Sequence, residues 1–237
     1  MLNLVRRMPK YASVTGICLV VLILAYSTIY VIEKPGGIAD WRISKALGVT
    51  ETLRVPLGDT PEEAIRQFRG STNLAFRTIL QEPVHGGILH FSKRMQNHSG
   101  TDIQVEIARK AWLGWKWVSG GGYTIGGDKM DASSDSALSY MMLPMRLEKP
   151  KGDSLVFGEI GDMSITHIVV KGDEAAAREY AAEIVKTDDG YVVWYMVLPA
   201  SVRVPFDLQA YTDENELRAM LTITTERENG LIKRQRK

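Results

Sequence analysis

Tyr11 to Ile32, YASVTGICLVVLILAYSTIYVI, is a run of 22 residues without a charge. At the helical rise of about 1.5 Å per residue such a run extends roughly 33 Å, the thickness of a bilayer core. Arg6, Arg7 and Lys10 precede it, Glu33 and Lys34 follow it, and Pro35-Gly36-Gly37 stops the helix. Tyr11, Tyr26 and Tyr30 stand near its ends, where aromatic rings favour the membrane interface. The run therefore reads as a transmembrane anchor contacting lipid through residues 11–32. The basic flank places residues 1–34 as a cytoplasmic stub and span, with the C-terminal part extracytoplasmic. A cleaved leader is the competing reading, because Ala25-Tyr26-Ser27 presents small residues at the spacing a signal peptidase inspects. Both readings export everything from residue 35 onward. Cys18, the one cysteine, lies in the middle of the apolar run and lacks the small residue a lipid-attachment site needs before it. The exported part must then hold together by packing, without disulfides.

The whole chain has 237 residues, 45% apolar and 24% charged, within the range of ordinary globular proteins. Its 29 Lys and Arg nearly balance 28 Asp and Glu. Without the three basic residues ahead of the apolar run, 26 basic residues face 28 acidic ones, a net of −2. That balance argues against nucleic acid as a partner.

Beyond the anchor, residues 35–57 read as a linker or stalk. Asp59-Thr60-Pro61-Glu62-Glu63 is a helix start, with Thr60 as cap, proline in the first turn and Glu63 closing a capping box; Gly70 ends the helix. Ala64, Ile65 and Phe68 share one face, which needs a sheet to cover. Residues 74–84, 87–95, 102–110 and 112–118 supply β-favouring runs for an antiparallel meander. Residues 120–136, GGGYTIGGDKMDASSDS, read as flexible punctuation, and the apolar pattern resumes over 137–147. This gives an α+β unit over 58–147. From 153 to 237 short strands are expected over 154–160, 164–171, 181–187, 191–198, 204–211 and 217–225, with a hairpin at Asp188-Asp189-Gly190, as in a small β-sandwich. Asp173 to Ala182 is helix-favouring by its alanines and ambiguous. Glu228-Asn229-Gly230 is a turn candidate ahead of a basic tail.

Ala111-Trp112-Leu113-Gly114-Trp115-Lys116-Trp117-Val118, followed by Gly120-Gly121-Gly122 and preceded by the capped TPEEAI helix, resembles a loose group of singly anchored surface proteins of Bacillus and Paenibacillus type. Phe157-Gly158-Glu159-Ile160, Ile165 to Val170, Glu183-Ile184-Val185 and Val193-Trp194-Tyr195 are similar to the strand-rich C-terminal half of that group. The resemblance spans residues 55–211. It implies a bacterial envelope protein and brings no catalytic residue with it.

Trp112, Trp115 and Trp117 are the main candidates for contact with a ligand or surface, since aromatic faces stack on sugars and settle at membrane interfaces. On a strand Trp115 and Trp117 point the same way, and the alternative is that they anchor the core beneath the helix while Lys116 faces water. Lys233, Arg234, Arg236 and Lys237 form a basic tail suited to anionic lipid or wall polymer; a frayed solubilising end is the other reading. Gly120 to Gly127 lacks the spacing of a phosphate loop. Asp128, Asp131 and Asp135 do not follow a calcium-loop order, and Asp213, Glu214 and Glu216 read as a polar turn. His85, His90, His98 and His167 lack zinc spacing, although His85 and His90 can approach across a turn. No serine elbow or S-x-x-K context for acyl hydrolysis is present. No cofactor, no metal and no catalytic residue is expected. The expected role is a non-catalytic envelope or interaction module whose partner is a cell-wall polymer, an anionic lipid or another membrane protein. The alternatives are a carbohydrate-active envelope hydrolase using an unrecognised carboxylate pair, and a sensor ectodomain acting through a partner.

Overall fold

The computed structural model describes residues 10–70, 76–94, 101–125, 135–145, 153–171, 179–226 and 228–235. The chain opens with α1 (Lys10–Glu33), α2 (Ile38–Leu47), β1 (Leu57–Gly58) and α3 (Pro61–Arg69). Five long strands follow: β2 (Phe76–Val84), β3 (Gly87–Arg94), β4 (Thr101–Ala111), β5 (Gly114–Ile125) and β6 (Ser136–Pro144). Then come β7 (Ser154–Glu159), β8 (Ile165–Lys171), β9 (Glu179–Ala181), β10 (Glu183–Lys186), β11 (Val192–Leu198), β12 (Phe206–Thr212), β13 (Leu217–Ile223) and β14 (Asn229–Lys233). The architecture is α+β, a long apolar helix ahead of antiparallel sheets.

α1 is long and apolar enough to cross a membrane, and among the described residues nothing covers its apolar stretch. The expected stalk over 35–57 instead contains α2. Gly48, with φ +76°, ends that helix by donating to the Lys45 carbonyl at 3.2 Å. Its outward face carries Ile38, Trp41, Arg42 and Lys45, while Asp40 and Ser44 face inward and are buried. That periodicity, one apolar-basic stripe opposite one polar stripe, hides from a search for an apolar core face.

The first sheet has the order β1-β5-β4-β3-β2. Strict alternation in β3 and β4 divides its faces: Leu89, Phe91, Ile103, Val105 and Ile107 go to one side, His90, Ser92, Gln104 and Glu106 to the other. α3 covers the polar side. Its Thr60 hydroxyl accepts the Glu63 amide at 3.2 Å, and the Glu63 carboxylate accepts the Asp59 amide at 2.9 Å, so two amides at the helix start are satisfied. β5 runs on through Gly120-Gly121-Gly122 to Ile125, so the glycines expected to be flexible pair in register with Glu106, Val105 and Gln104. A side chain at 120 would drive into the Glu106 carboxylate, and one at 121 would meet Leu143 of β6. Close approach, not mobility, accounts for these glycines.

The second sheet runs β10-β11-β7-β6-β14 and the third β13-β12-β8-β9. The apolar face of the first sheet shares a cluster with Leu155 and Phe157 of β7 and Val193 of β11. A second cluster joins the second and third sheets through Leu138, Val156, Trp194, Ile168, Leu208 and Ile223. The expected boundary between residues 147 and 153 thus falls inside the second sheet, because β6 pairs with β7. The expected strand 181–187 is divided at Ala182: β9 belongs to the third sheet and β10 to the second. Residues 179–181 of the alanine-rich segment are strand and Ala182 follows them, its amide donating to the Ile168 carbonyl at 2.8 Å; residues 173–178 lie outside the described residues. Asp188-Asp189-Gly190 does turn a hairpin, with β10 and β11 paired on either side. Asn229 and Gly230 are no turn but the start of β14, which pairs with β6.

Candidate functional site

The residues that stand out for their chemistry gather where α1 and α2 meet the β4–β5 hairpin. Asp40, fully buried on α2, accepts the Gly36 amide at 2.7 Å and the Val55 amide at 2.9 Å through Oδ2, and its Oδ1 pairs with Lys116 Nζ. Lys116 also donates to the Glu33 carbonyl at 2.9 Å. The Glu33 carboxylate, at the last residue of α1, accepts Arg109 Nη2 at 2.9 and 3.2 Å. Arg109 and Lys116 are register partners on β4 and β5, so one rung of the first sheet holds both helices. Ser44 completes the arrangement, donating to the Asp40 carbonyl at 2.7 Å and accepting the Leu53 amide at 2.8 Å. Lys116 therefore does not face water as expected. The opposite side of β5 at this rung is closed by the α1–α2 corner, and a charge buried there is tolerable because each of its partners is a carboxylate or carbonyl oxygen.

Across the sheet lies a second polar cluster. Glu106 accepts four hydrogen bonds: Arg69 Nε at 2.9 Å, Arg69 Nη2 at 3.0 Å, Trp117 Nε1 at 2.5 Å and Gln104 Nε2. Burial pushes its carboxyl above the usual carboxylate range against the opposing pull of Arg69, Trp117 and Gln104. Trp117 stacks on Phe68 of α3 with centroids 3.9 Å apart and 13° between planes. His90, the register neighbour of Glu106, holds Thr78 Oγ1 at 3.0 Å through Nε2, and its Nδ1 is buried without a hydrogen-bond partner among the described residues. Burial lowers the His90 pKa, with Glu62 pulling the other way. With both oxygens of Glu106 occupied, this cluster fastens α3 to the sheet; it presents no free carboxylate to a substrate.

The three tryptophans are separated by these surroundings. Trp117 is core, 5% exposed; Trp115 is half-buried against the same cluster with Lys110 Nζ 5.3 Å above its ring; Trp112 is 84% exposed at the hairpin tip. Lys233 is exposed on β14 of the second sheet, away from the tryptophan strand, and Arg234 is drawn to Asp162 at 3.1 Å. The tail is thus partly built into the fold, while Arg236 and Lys237 lie outside the described residues, as do Asp128, Asp131 and His98. His85 lies at the exposed β2–β3 turn, His90 is buried in the middle of β3, and His167 bonds its neighbour Thr166 at 2.9 Å. Among the described residues no three of His, Cys, Asp or Glu converge as a metal would need.

No protein-family model, curated protein or solved structure matches the chain. Asp40, Glu33, Arg109 and Lys116 went unmarked in the sequence because each is charged and each looks solvated by itself. One signal was present: Asp40 and Ser44, four apart, put a polar stripe on a helix whose other side carries Ile38, Trp41 and Lys45.

Proposed function

We propose that the chain is a single-pass membrane protein whose N-terminus is cytoplasmic and whose β-rich part, an α+β unit leading into a sandwich-like pair of sheets, is an extracytoplasmic, non-catalytic envelope or interaction module. The observation that carries this reading is the continuity of α1, which runs unbroken past Ala25-Tyr26-Ser27 to Glu33 and is tied there to Arg109 and Lys116 of the first sheet. Cleavage after Ser27 would leave Thr28 to Ile32 projecting into water from the Glu33–Arg109 ion pair, with Tyr30, Val31 and Ile32 exposed. An anchor that stays attached gives those residues a lipid environment. What supports a module rather than an enzyme is the use made of the two buried carboxylates: Asp40 and Glu106 spend their oxygens on amides, Lys116, Arg69, Gln104 and Trp117.

The test is the fate of the full chain expressed in bacteria. The membrane fraction, washed with alkaline carbonate, should retain a chain of uncleaved mass, and protease added outside spheroplasts should digest everything beyond about residue 35. A shortened chain released in soluble form would replace the anchor with a leader. A chain protected from external protease but cut in inverted vesicles would reverse the topology.

A further inference from the structure

Three exposed apolar side chains flank the α1–α2 corner: Ile38 and Trp41, the latter 50% exposed, on α2, and Trp112 at the tip of the β4–β5 hairpin. We propose that these form a second lipid contact, by which α2 and the hairpin tip lie in the headgroup layer and seat the folded part on the bilayer surface; the proposal rests on the reading of α1 as a membrane span.

Position is the first argument. The apolar run ends at Ile32 and the next residue, Glu33, is bonded to Arg109, which puts that rung of the first sheet at the membrane interface. The headgroup layer on each side of a bilayer is roughly 5–7 Å deep. Register carries the hairpin from Arg109–Lys116 through Lys110–Trp115 to Ala111–Gly114, leaving Trp112 at the tip, within roughly 10 Å of Arg109 along the strand. Trp41 is next to Asp40, whose carboxylate is fixed to Lys116 of the same rung. Trp41 is therefore held near the exit of the span through its neighbour Asp40, and Trp112, in the β4–β5 turn, is joined to Arg109 by continuously paired strand.

Chemistry is the second. Ile38, Trp41 and Lys45 stand at positions i, i+3 and i+7 of α2 and share one face, with Arg42 beside them. Between residues 34 and 50 the basic residues are Lys34, Arg42 and Lys45, and the single acid, Asp40, is buried in its ion pair. An exposed apolar-aromatic stripe edged by unopposed basic residues is what an interfacial helix presents to anionic lipid. Tryptophan, apolar in body with one N–H to donate, is the side chain that prefers this layer.

The experiment places a polarity-sensitive, nitroxide-quenched fluorophore at one cysteine of the full chain reconstituted in phosphatidylcholine–phosphatidylglycerol vesicles. Cys18 is the native site within α1; Trp41→Cys, Trp112→Cys and Met220→Cys are made on a Cys18→Ser background. Met220 is an exposed residue of β13, in the third sheet, which among the described residues shares no apolar cluster with the first. Lipid carrying its nitroxide deep in the acyl chain should quench the label at 18. Lipid carrying it on the headgroup should quench labels at 41 and 112 several-fold more than the label at 220. Quenching at 41 and 112 no stronger than at 220, with position 18 quenched, overturns the second contact and leaves the anchor standing. No quenching at 18 overturns the anchor and this proposal together. Because Trp112 is almost fully exposed, its replacement leaves the fold intact, and Trp41 supplies an independent site if either label perturbs its surroundings.

Discussion

Lys116 and Asp40 form a fully buried ion pair whose members are each held by further bonds, to the Glu33 carbonyl and to the Gly36 and Val55 amides. Removing one partner leaves the other charge stranded. Lys116→Met should cost about 3–5 kcal/mol, whereas Lys45→Met, on the exposed face of α2, should stay within about 0.5 kcal/mol. Urea unfolding of the full chain in detergent measures both. His90 gives the pH dependence. Its native pKa lies below that of an unfolded histidine, because burial disfavours the imidazolium. The unfolded chain therefore binds a proton first as pH falls; the His90 contribution is complete above about 6.5 and is lost progressively below it. Glu106, raised by burial, acts with opposite sign: its contribution is present below the unfolded carboxylate value and is lost as pH rises through the native one. His90→Gln should flatten the fall in melting temperature between about pH 7 and 5, and an unchanged slope would assign it to other groups. None of this was legible residue by residue. Lys116 follows Trp115 and precedes Trp117, and alternation alone assigns it to the side away from the tryptophans; alternation does not say what covers that side.

Among the elements, α3 and the β2–β5 meander were the most legible, because cap residues and period-two alternation are local signals that tertiary contacts did not override. α2 and the glycine segment of β5 were not. In both cases glycine marks close approach, which a single sequence cannot distinguish from flexibility. Gly37 shows it at the helix corner: a Cβ there would lie 2.6, 2.7 and 2.8 Å from the carbonyl oxygens of Val31, Ile32 and Lys34, all backbone atoms. No side chain can swing aside to make room. Gly37→Ala should therefore open the α1–α2 corner and cost about 1–3 kcal/mol. It should also weaken protection of the Val55 amide, which depends on the position of Asp40; hydrogen exchange reads that directly. β9 and β10 show the same limit. A run that looks like one strand crosses between sheets at Ala182, and only the pairing partners, Val169 on one side and Tyr195 on the other, reveal it.

For the whole molecule, the sequence conveyed the order of parts, an apolar helix and then α+β structure, but misplaced the join. Composition put the break near residue 150, yet β6, which ends at Pro144, pairs with β7, which begins at Ser154, so that stretch of chain connects two neighbours of the second sheet. Long-range pairing, such as that of β14 with β6, has no local signature. Lys93 of β3 reaches Glu159 of β7 at 2.6 Å and lies 3.8 Å from the Tyr191 ring centroid, so the first two sheets are tied by charge as well as by their shared cluster. The corner between α1 and the first sheet changes what such a molecule can reach. Had residues 35–57 been a free tether, some twenty residues would have let the folded part explore roughly 25 Å from its point of attachment. A tether with a buried ion pair in it has no slack. On the proposed topology the folded part travels with its helix as one piece, sliding and turning in the plane but neither lifting nor tumbling, and meets what comes to the membrane surface or diffuses within it.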